Sequence, residues 1–288
     1  MLGIRYPLIA APMFLVSNAD MMVEVGEAGA LGAMPALNLR STDEFRETVR
    51  EIKRRTNAPF GVNLILLNNP RIEDDLKVCL EEQVPLIITS LGNPTELIAA
   101  AHGKGVRVFC DVINLKHAQK AHAAGADALI AVSAGAGGHA GPVSPFVLIP
   151  WLSAELKTPV VAAGGIANGA NVAAALALGA DAAYLGTRFI ASQEAPVEEA
   201  FKLAICQASP EDLEFTPEVT GHHANFLKES LEKFRAAKRE GGTEIKRWRD
   251  VWSAGQTVGL ITQVKPCREI VADLMSEYHA ARASLPAF

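Results

Sequence analysis

Short apolar runs alternate with longer segments of mixed polarity between residue 7 and about residue 207. The runs are apolar throughout, and polar side chains do not alternate with apolar ones along them. Strands that are buried on both faces have this pattern, whereas a strand with one solvated face alternates. The pattern predicts eight buried strands, at residues 7–13, 31–37, 60–66, 86–91, 107–112, 128–133, 160–166 and 182–189.

The segments between these runs have helical periodicity, and several end in the same kind of turn. The segments 27–31, 123–127 and 177–181 each place a glycine between the end of a helix and the start of a strand. Glycine ends helices in this way because it adopts a left-handed conformation easily. Eight parallel strands with intervening helices predict a closed (β/α)8 barrel, a TIM barrel of the α/β class. A doubly wound sheet would leave edges and usually has fewer strands.

The pattern changes at about residue 208, where the chain becomes charged and helical, as in residues 226–234. We expect an inserted helical segment at 208–247 that covers the barrel mouth. The stretch from Asp250 to Leu274 returns to small and apolar residues, and we expect it to pack back on the barrel. The predicted domains are therefore a barrel of residues 1–207 and 248–288 and the insertion at 208–247.

Composition narrows the functional classes. The chain has 288 residues, of which 49% are hydrophobic and 6% aromatic, enough for a large core of small aliphatic side chains. The net charge of −5 and the lack of a basic stripe argue against a nucleic-acid partner. The four cysteines lie far apart without metal-ligand spacing, so neither a disulfide framework nor a zinc site is expected. We expect a cytoplasmic protein that is neither secreted nor inserted in a membrane.

A glycine-rich loop with a single histidine follows the sixth predicted strand. It reads Ala134-Gly-Ala-Gly-Gly-His-Ala-Gly141. Glycine lets backbone amides approach a planar or anionic ligand, and an imidazole with a reference pKa near 6.5 exchanges protons at neutral pH. The loop predicts a cofactor site with His139 as its base, although such a short motif alone is also compatible with a flexible surface loop.

The seventh and eighth predicted strands end in further glycines. The segments 162–169 and 185–189 read AAGGIANG and LGTRF. In a parallel barrel, phosphate is commonly held by the loops after the last two strands. Gly164, Gly165 and Gly186 can point amides at phosphate oxygens, and the Thr187 hydroxyl can add a donor. Either segment alone could equally be a conformational turn, but together they favour ligand binding.

The ends of the first and third strands would form the opposite wall of this site. Asn63 offers a donor and an acceptor, as recognition of the pyrimidine edge of a flavin requires. Pro12 and Met13 can supply a flat apolar surface and a backbone amide. The alternative is that Met13 and Phe14 are core residues and that Asn63 forms a turn.

Six motifs resemble the nitronate monooxygenase family, formerly called 2-nitropropane dioxygenases. They occur in the family's order along nearly the whole chain, and they are IAAPM at the first strand, GVNLILL at 61–67, AGGHAG at 136–141, AAGGIANG at 162–169, LGTRFIAS at 185–192 and WSAGQ at 252–256. Related flavoenzymes are the FMN-dependent NAD(P)H:quinone reductases and the FMN-dependent enoyl-acyl-carrier-protein reductases. The resemblance therefore indicates the cofactor better than the substrate.

The resemblance implies that FMN binds here and that His139 is the catalytic base. In the family, the matching histidine takes the α-proton of a nitroalkane, after which the flavin accepts an electron from the nitronate and O2 completes the oxidation. The implied partners are a small substrate and O2, with NAD(P)H and a homodimer as options. The implied cofactor-binding residues are Ala11, Pro12, Met13, Asn63, Asp111, Ala136, Gly137, Gly138, Gly164, Gly165, Gly186, Thr187 and Gln256.

Two departures from the family's motifs limit how far the family's properties can be assigned to this chain. The chain has Gly135 where many relatives have an acidic or cysteine residue before AGGH, and it has Asp111 where relatives include a lysine nearby. A carboxylate near the flavin pyrimidine would oppose the negative charge of the reduced ring. Asp111 could point inward or into a polar network away from the ring. His222 and His223 are expected to be solvated, and no role is assigned to them.

Three functions remain open at this point. The first is oxidation of alkyl nitronates with O2. The second is reduction of a quinone or an enoyl thioester by NAD(P)H, and the lack of a GxGxxG fingerprint does not decide against it. The third is a barrel without flavin that binds a phosphorylated metabolite as a lyase, isomerase or sensor.

Overall fold

The computed structural model describes residues 1–239 and 247–285. Eight parallel strands close into a barrel, which confirms the predicted (β/α)8 architecture. Each strand pairs with its neighbour, and β1 closes the barrel by pairing Ile9 with Tyr184 of the last strand. In chain order the barrel strands are β1 (Leu8–Ala10), β2 (Leu31–Pro35), β3 (Phe60–Ile65), β4 (Leu86–Ser90), β5 (Arg107–Val112), β6 (Ala128–Val132), β8 (Val160–Ala163) and β9 (Ala182–Leu185).

The predicted strands lie at the correct places, and some of them end earlier than expected. The run at 160–166 is a strand only to Ala163, because Gly164 and Gly165 have φ of +99° and +75°. These values belong to the left-handed region that glycine enters without strain. The early end frees the following residues to form a loop at the barrel mouth.

Helices surround the barrel and several begin at a side-chain cap. Asn18, Ser41, Asn114 and Asn168 each accept a hydrogen bond from the backbone N–H three residues later, which satisfies an otherwise unpaired donor. The helices are α1 (Ala19–Glu27), α2 (Thr42–Arg55), α3 (Ile72–Glu81), α4 (Thr95–His102), α5 (Leu115–Ala123), α6 (Pro145–Glu155), α7 (Gly169–Ala177), α8 (Thr187–Ile190), α9 (Glu199–Gln207), α10 (Lys228–Arg239), α11 (Arg247–Asp250) and α12 (Cys267–Ser284).

The barrel interior is a cluster of aliphatic and aromatic side chains separate from the layer between strands and helices. Ile9, Ile88, Phe109 and Ile130 belong to this interior cluster, and Tyr184 packs against it while partly buried. Alternate residues of each strand point the same way. The residues two positions after Phe109 and Ile88, towards the C-terminal ends, therefore also face the interior.

The C-terminal stretch packs back on the barrel, as predicted. Glu277 of α12 accepts a hydrogen bond from the N–H of Gly169 at the start of α7 through Oε2, at 2.8 Å. Arg268, near the other end of α12, pairs with Glu24 of α1. The last helix thus covers the two neighbouring units where the barrel closes.

The inserted segment contains strands that the sequence did not predict. A small antiparallel sheet has the order β10 (Leu213–Thr216), β11 (Ala224–Leu227) and β7 (Gly138–His139), and α10 follows it. The helical expectation for 208–247 therefore holds for 228–239 but is wrong for the strands. Residues 240–246 and 286–288 lie outside the described part of the chain, and the domain division stays a prediction. Among the described residues, no helix has the length and apolarity needed to cross a membrane.

Candidate functional site

The glycine loop of residues 134–141 lies at the C-terminal end of the barrel and is held there by the inserted sheet. His139 pairs with Ala224 and Gly138 pairs with Asn225 in the antiparallel ladder of β7 and β11. The Asn225 side chain donates through Nδ2 to the carbonyl of Ala136 at 2.7 Å. A loop that is rich in glycine is thereby fixed by backbone and side-chain hydrogen bonds.

The segment that carries the WSAGQ motif supports the same loop. The N–H of Gly138 donates to Ser253 Oγ at 2.6 Å, and Ser253 Oγ donates to the Asn225 carbonyl at 2.8 Å. The N–H of Gln256 donates to the carbonyl of Gly135 at 2.9 Å. Gln256, which was predicted to bind the cofactor, thus contacts the glycine loop and is itself exposed to solvent.

Gly137 connects three of the motifs at close range. A Cβ atom at this position would lie 2.8 Å from the Gly255 nitrogen and 3.1 Å from Thr187 Oγ1. The N–H of Gly255 donates to Thr187 Oγ1 at 2.9 Å. Because this bond uses a lone pair of Thr187, the hydroxyl proton stays free to be donated to a ligand. Glycine is needed at position 137 to allow this approach.

His139 is partly buried between side chains of the insertion and of the segment that directly follows it. Its ring meets the indole of Trp248 edge to face at a centroid distance of 5.2 Å, and the ring of His222 at 5.5 Å. Burial, and secondarily the charge of His222, lowers the pKa of His139 from 6.5 to about 4. The imidazole is therefore neutral at physiological pH and ready to accept a proton.

Thr220 determines how the neutral imidazole is oriented. His139 Nε2 and Thr220 Oγ1 are 3.2 Å apart, and Thr220 Oγ1 lies 3.1 Å from the carbonyl of His222. A hydroxyl has one proton, so donation to the His222 carbonyl leaves Thr220 as an acceptor for an Nε2–H group. In this arrangement the lone pair of His139 is on Nδ1.

The loops after β8 and β9 present unused backbone donors, as the predicted phosphate site requires. The N–H groups of Gly164, Gly165, Gly186 and Thr187 have no acceptor within residues 1–239 and 247–285. A Cβ at Gly165 would meet a single atom within 4 Å, Pro145 Cγ, so the space beside it is open. These donors come from adjacent strands, since Ala163 pairs with Tyr184. Free amides in two neighbouring loops at a barrel mouth are suited to an anion.

The loop after β1 borders these amides but differs from expectation in one respect. The N–H of Met13 donates to Ser17 Oγ at 2.9 Å, and Ser17 Oγ donates to the carbonyl of Ala11 at 3.3 Å. The expectation that the Met13 N–H is free for a ligand is therefore wrong. The Met13 side chain does supply an apolar wall, since its Sδ lies 3.6 Å from the Cβ position at Gly186. Pro12, between Ala11 and Met13, is partly exposed.

Asn63 lies at the opposite wall. It offers a ligand only a hydrogen-bond acceptor, whereas both a donor and an acceptor were expected. Its Nδ2 donates to the carbonyl of Ile88 at 3.1 Å and to Ser90 Oγ at 2.8 Å. The amide donors are thus used inside the protein. Oδ1 remains as the acceptor, so Asn63 is suited to a ligand N–H group.

Asp111 faces the barrel interior, where it belongs to a polar network. Ser90 Oγ donates to Asp111 Oδ2 at 2.6 Å, while Oδ1 is buried without a partner in the described residues. Burial raises the pKa of Asp111 from 3.8 to about 6, although the Ser90 hydrogen bond opposes this shift. Burial, and then the charge of Asp111, also raises the pKa of Tyr184. Asn63, Ser90 and Asp111 form one hydrogen-bonded chain.

Sequence reasoning missed the residues that the insertion and the segment directly after it contribute. His222 and His223 are exposed, as expected, but the ring of His222 also lies against His139, whereas His223 packs on Phe215 at 5.0 Å. Thr220 and Trp248 carried no sequence signal. The one hint in the sequence was that His222 and His223 lie within the segment expected to cover the barrel mouth.

The chain is similar to known proteins along nearly its whole length. A model of the nitronate monooxygenase family matches residues 1–277. The nitronate monooxygenase of Paraburkholderia phytofirmans is 30% identical over 100% of this chain and 90% of its own. A (3aS,4S,5R,7aS)-5-hydroxy-7a-methyl-1-oxo-octahydro-1H-indene-4-carboxyl-CoA dehydrogenase of Mycobacterium tuberculosis is 33% identical over 84% of this chain and 69% of its own.

Two solved structures have the same fold over nearly the full length. FabK from Thermotoga maritima has a TM-score of 0.87 and 35% identity, covering 98% of this chain and 95% of its own. Nitroalkane oxidase from Streptomyces ansochromogenes has a TM-score of 0.86 and 26% identity, covering 99% of each chain.

Proposed function

The chain belongs to the nitronate monooxygenase family of oxidoreductases, and from this premise we propose that it is an FMN-dependent enzyme that oxidises alkyl nitronates and nitroalkanes with O2. The observation that carries the proposal is a neutral His139 fixed beside a barrel mouth with free backbone donors. A base and an anion site at one mouth suit a phosphorylated cofactor and a substrate that must lose a proton.

The donor set at the mouth fits the phosphate of FMN. The free N–H groups of Gly164, Gly165, Gly186 and Thr187 would bind the phosphate oxygens, with the Thr187 hydroxyl as a further donor. Neutral amides and a hydroxyl bind an anion without requiring a cationic side chain.

The remaining assigned residues fit the ring of the cofactor. Asn63 Oδ1 would accept the N–H of the pyrimidine edge, and Met13 with Pro12 and Ala11 would form an apolar wall. Ala136, Gly137 and Gly138 would border the ring from the glycine loop, and Gln256 supports that loop. FMN, when bound, supplies the redox chemistry by accepting electrons from the substrate and passing them to O2.

His139 accepts the α-proton of a neutral nitroalkane in this proposal. The proton goes to Nδ1, because Nε2–H is directed at Thr220. A base with a depressed pKa is present in its neutral form over the whole physiological range, at the cost of lower intrinsic basicity. Thr220, His222 and Trp248 hold the ring and restrict water around it.

A second candidate is the reduction of an enoyl thioester by NAD(P)H. It is favoured by identities of 33% to the carboxyl-CoA dehydrogenase and 35% to FabK, which exceed the 30% identity to the nitronate monooxygenase of Paraburkholderia. No geometric feature of the described residues favours a quinone substrate. The third alternative, a barrel without flavin, has no support from the family membership.

Anaerobic absorbance of the purified protein separates the candidates. The bound flavin is first released by heat and identified as FMN by chromatography. The flavin band is then followed after mixing with a primary nitronate in one cuvette and with NADH or NADPH in another. Bleaching by the nitronate alone supports the proposal, whereas fast bleaching by a nicotinamide alone contradicts it and favours the second candidate. A cytoplasmic location and a homodimer remain predictions, tested by fractionation and light scattering.

A further inference from the structure

One buried carboxyl group has no part in the base chemistry assigned to His139. Asp111 lies near the C-terminal end of β5, two residues after the interior Phe109, and therefore faces the inside of the barrel at its mouth. Its Oδ2 accepts a hydrogen bond from Ser90, but its buried Oδ1 has no partner within the described residues. Buried polar atoms are normally paired, so this oxygen requires an explanation.

The side chains around Asp111 leave a negative charge uncompensated. Ser90 faces it from β4, Tyr184 from β9, and Cys110 precedes it on its own strand. Asn63 of β3 reaches the carboxyl only through Ser90. None of the ion pairs between described side chains includes Asp111. Within the described part of the chain, a carboxylate in this position is stabilised by one hydroxyl alone, and protonation relieves the cost of burying it.

The polar groups at the mouth also differ in what they can offer a ligand. The pyrimidine edge of a flavin presents an N–H between two carbonyl oxygens, and Asn63 Oδ1 complements the N–H. A carbonyl oxygen or a reduced ring nitrogen requires a donor. Asp111 Oδ1 becomes a donor only when it carries a proton, which connects its protonation to the state of the ring.

We propose that Asp111 takes up a proton when the bound flavin is reduced, and that its Oδ1–H then faces the pyrimidine side of the reduced ring. The inference rests on the proposed function, in that it requires a flavin above the chain formed by Asn63, Ser90 and Asp111. It assigns this carboxyl a positioning and charge-balancing role that is independent of the substrate.

Charge and protons balance in this step. Reduction of bound FMN by two electrons and one proton from the reductant would leave one negative charge on its ring. A second proton from solvent binds Asp111 Oδ1 and converts the carboxylate to the acid. Ring and carboxyl together gain two electrons and two protons, so the net charge of the site does not change. Two adjacent negative charges in a partly desolvated site would repel each other strongly.

The test counts the protons taken up with the electrons. The midpoint potential of the FMN-bound protein is measured with redox dyes at several pH values between 7 and 9, and its slope gives protons per electron. We expect two protons per two electrons in the wild type and one in Asp111→Asn, in which the reduced ring stays anionic. Asp181→Asn is the matched control, because Asp181 is exposed and precedes β9 at the opposite end of the barrel. It should take up two protons.

A second variant keeps the carboxyl and changes only its partner. Ser90→Ala removes the hydrogen bond that favours the carboxylate, so the second proton should be retained to higher pH than in the wild type. FMN affinity is followed in parallel by quenching of flavin fluorescence. Equal proton counts in wild type and Asp111→Asn, with FMN bound to both, overturn this inference alone. Failure of the wild type to bind FMN overturns the proposed function as well.

Discussion

The imidazole rings of His139 and His222 meet edge to face, with centroids 5.5 Å apart and an interplanar angle of 68°. His139 belongs to the glycine loop of the barrel, and His222 belongs to the turn between the two inserted strands. A positive charge on one ring disfavours protonation of the other. The inserted sheet therefore shields the base and also influences its proton affinity.

Replacing His222 should shift the pH dependence of the reaction. In the wild type, the pKa of His139 is lowered to about 4, so kcat/KM for a nitroalkane should stay level from pH 8 down to about pH 5. His222→Gln removes the repulsive charge and opens the pocket to water, and both changes raise the pKa of His139 towards 6.5. The acidic limb of the pH profile should move to higher pH. His223→Gln, which alters a ring that packs on Phe215, should leave the limb in place.

Removing the base should affect the two forms of the substrate differently. His139→Asn is expected to lower kcat/KM for a neutral nitroalkane by about 10² to 10⁴-fold, the usual contribution of a positioned base. The same variant should retain most activity with a preformed nitronate, which has already lost the proton. The matched control is His117→Asn, since His117 is exposed on α5. An equal loss with both forms would contradict the role of His139 as the base.

The fold was predictable because buried parallel strands produce runs that are apolar throughout. The runs at β1, β2, β6, β8 and β9 have this pattern. The runs at β3, β4 and β5 are mainly apolar and also carry the polar residues Asn63, Ser90 and Asp111 of the candidate site. The strands β10 and β11 are four residues long and pair with each other, and β11 also pairs with a two-residue strand in a distant loop. The bond from Asn225 to Ala136 spans 89 residues of sequence. Pairing over such a distance leaves no periodic pattern in the chain.

The candidate site was predictable where it depends on backbone conformation. It was less predictable where it depends on the hydrogen-bond partners of polar atoms. Glycines mark the loops at Gly164 and Gly137 because no other residue fits these conformations or distances. The hydrogen-bond partners that occupy Met13 N–H and Asn63 Nδ2 come from Ser17 and Ser90, and serines are too common to be informative. The polar atoms that stay free for a ligand could therefore be identified only from the structure.

Asp111 should make the protein less stable at high pH than at low pH. A folded-state pKa of about 6 against an ordinary value of 3.8 means that the folded protein binds more protons between these values. Stability is therefore lost as the pH rises through this window, by at most about 3 kcal/mol at about 1.4 kcal/mol per pKa unit. Asp111→Asn should raise the Tm of the flavin-free protein at pH 8, and the difference should vanish near pH 4.

The sign of that difference is the critical observation, measured by thermal denaturation at both pH values. Asp181→Asn provides the comparison for the same chemical change at an exposed carboxyl, whose hydrogen bond from the N–H of Val160 the asparagine Oδ1 can also accept. A lower Tm of Asp111→Asn at pH 8 would mean that the carboxylate is stabilised by its surroundings, contrary to its unpaired Oδ1.

The close approach of three motifs at Gly137 should make this position intolerant of a methyl group. In Gly137→Ala, the added Cβ would lie 2.8 Å from the Gly255 nitrogen, and relief of that overlap would displace Gly255 or the glycine loop. Overpacking of this kind typically costs about 1–3 kcal/mol. Because Thr187 is bonded to Gly255, the phosphate donors should move as well, so FMN affinity should fall by about tenfold or more.

Gly103→Ala is the matched control for this variant. Gly103 follows α4 with φ of −60°, and a Cβ there would meet its nearest atoms at an ordinary 3.5 Å. We expect Gly103→Ala to bind FMN like the wild type in a fluorescence titration and to unfold at a similar temperature. If Gly137→Ala matched the control in both measurements, Gly255 and Thr187 would not act as one unit with the glycine loop, and the assignment of Thr187 to the phosphate site would lose its structural support.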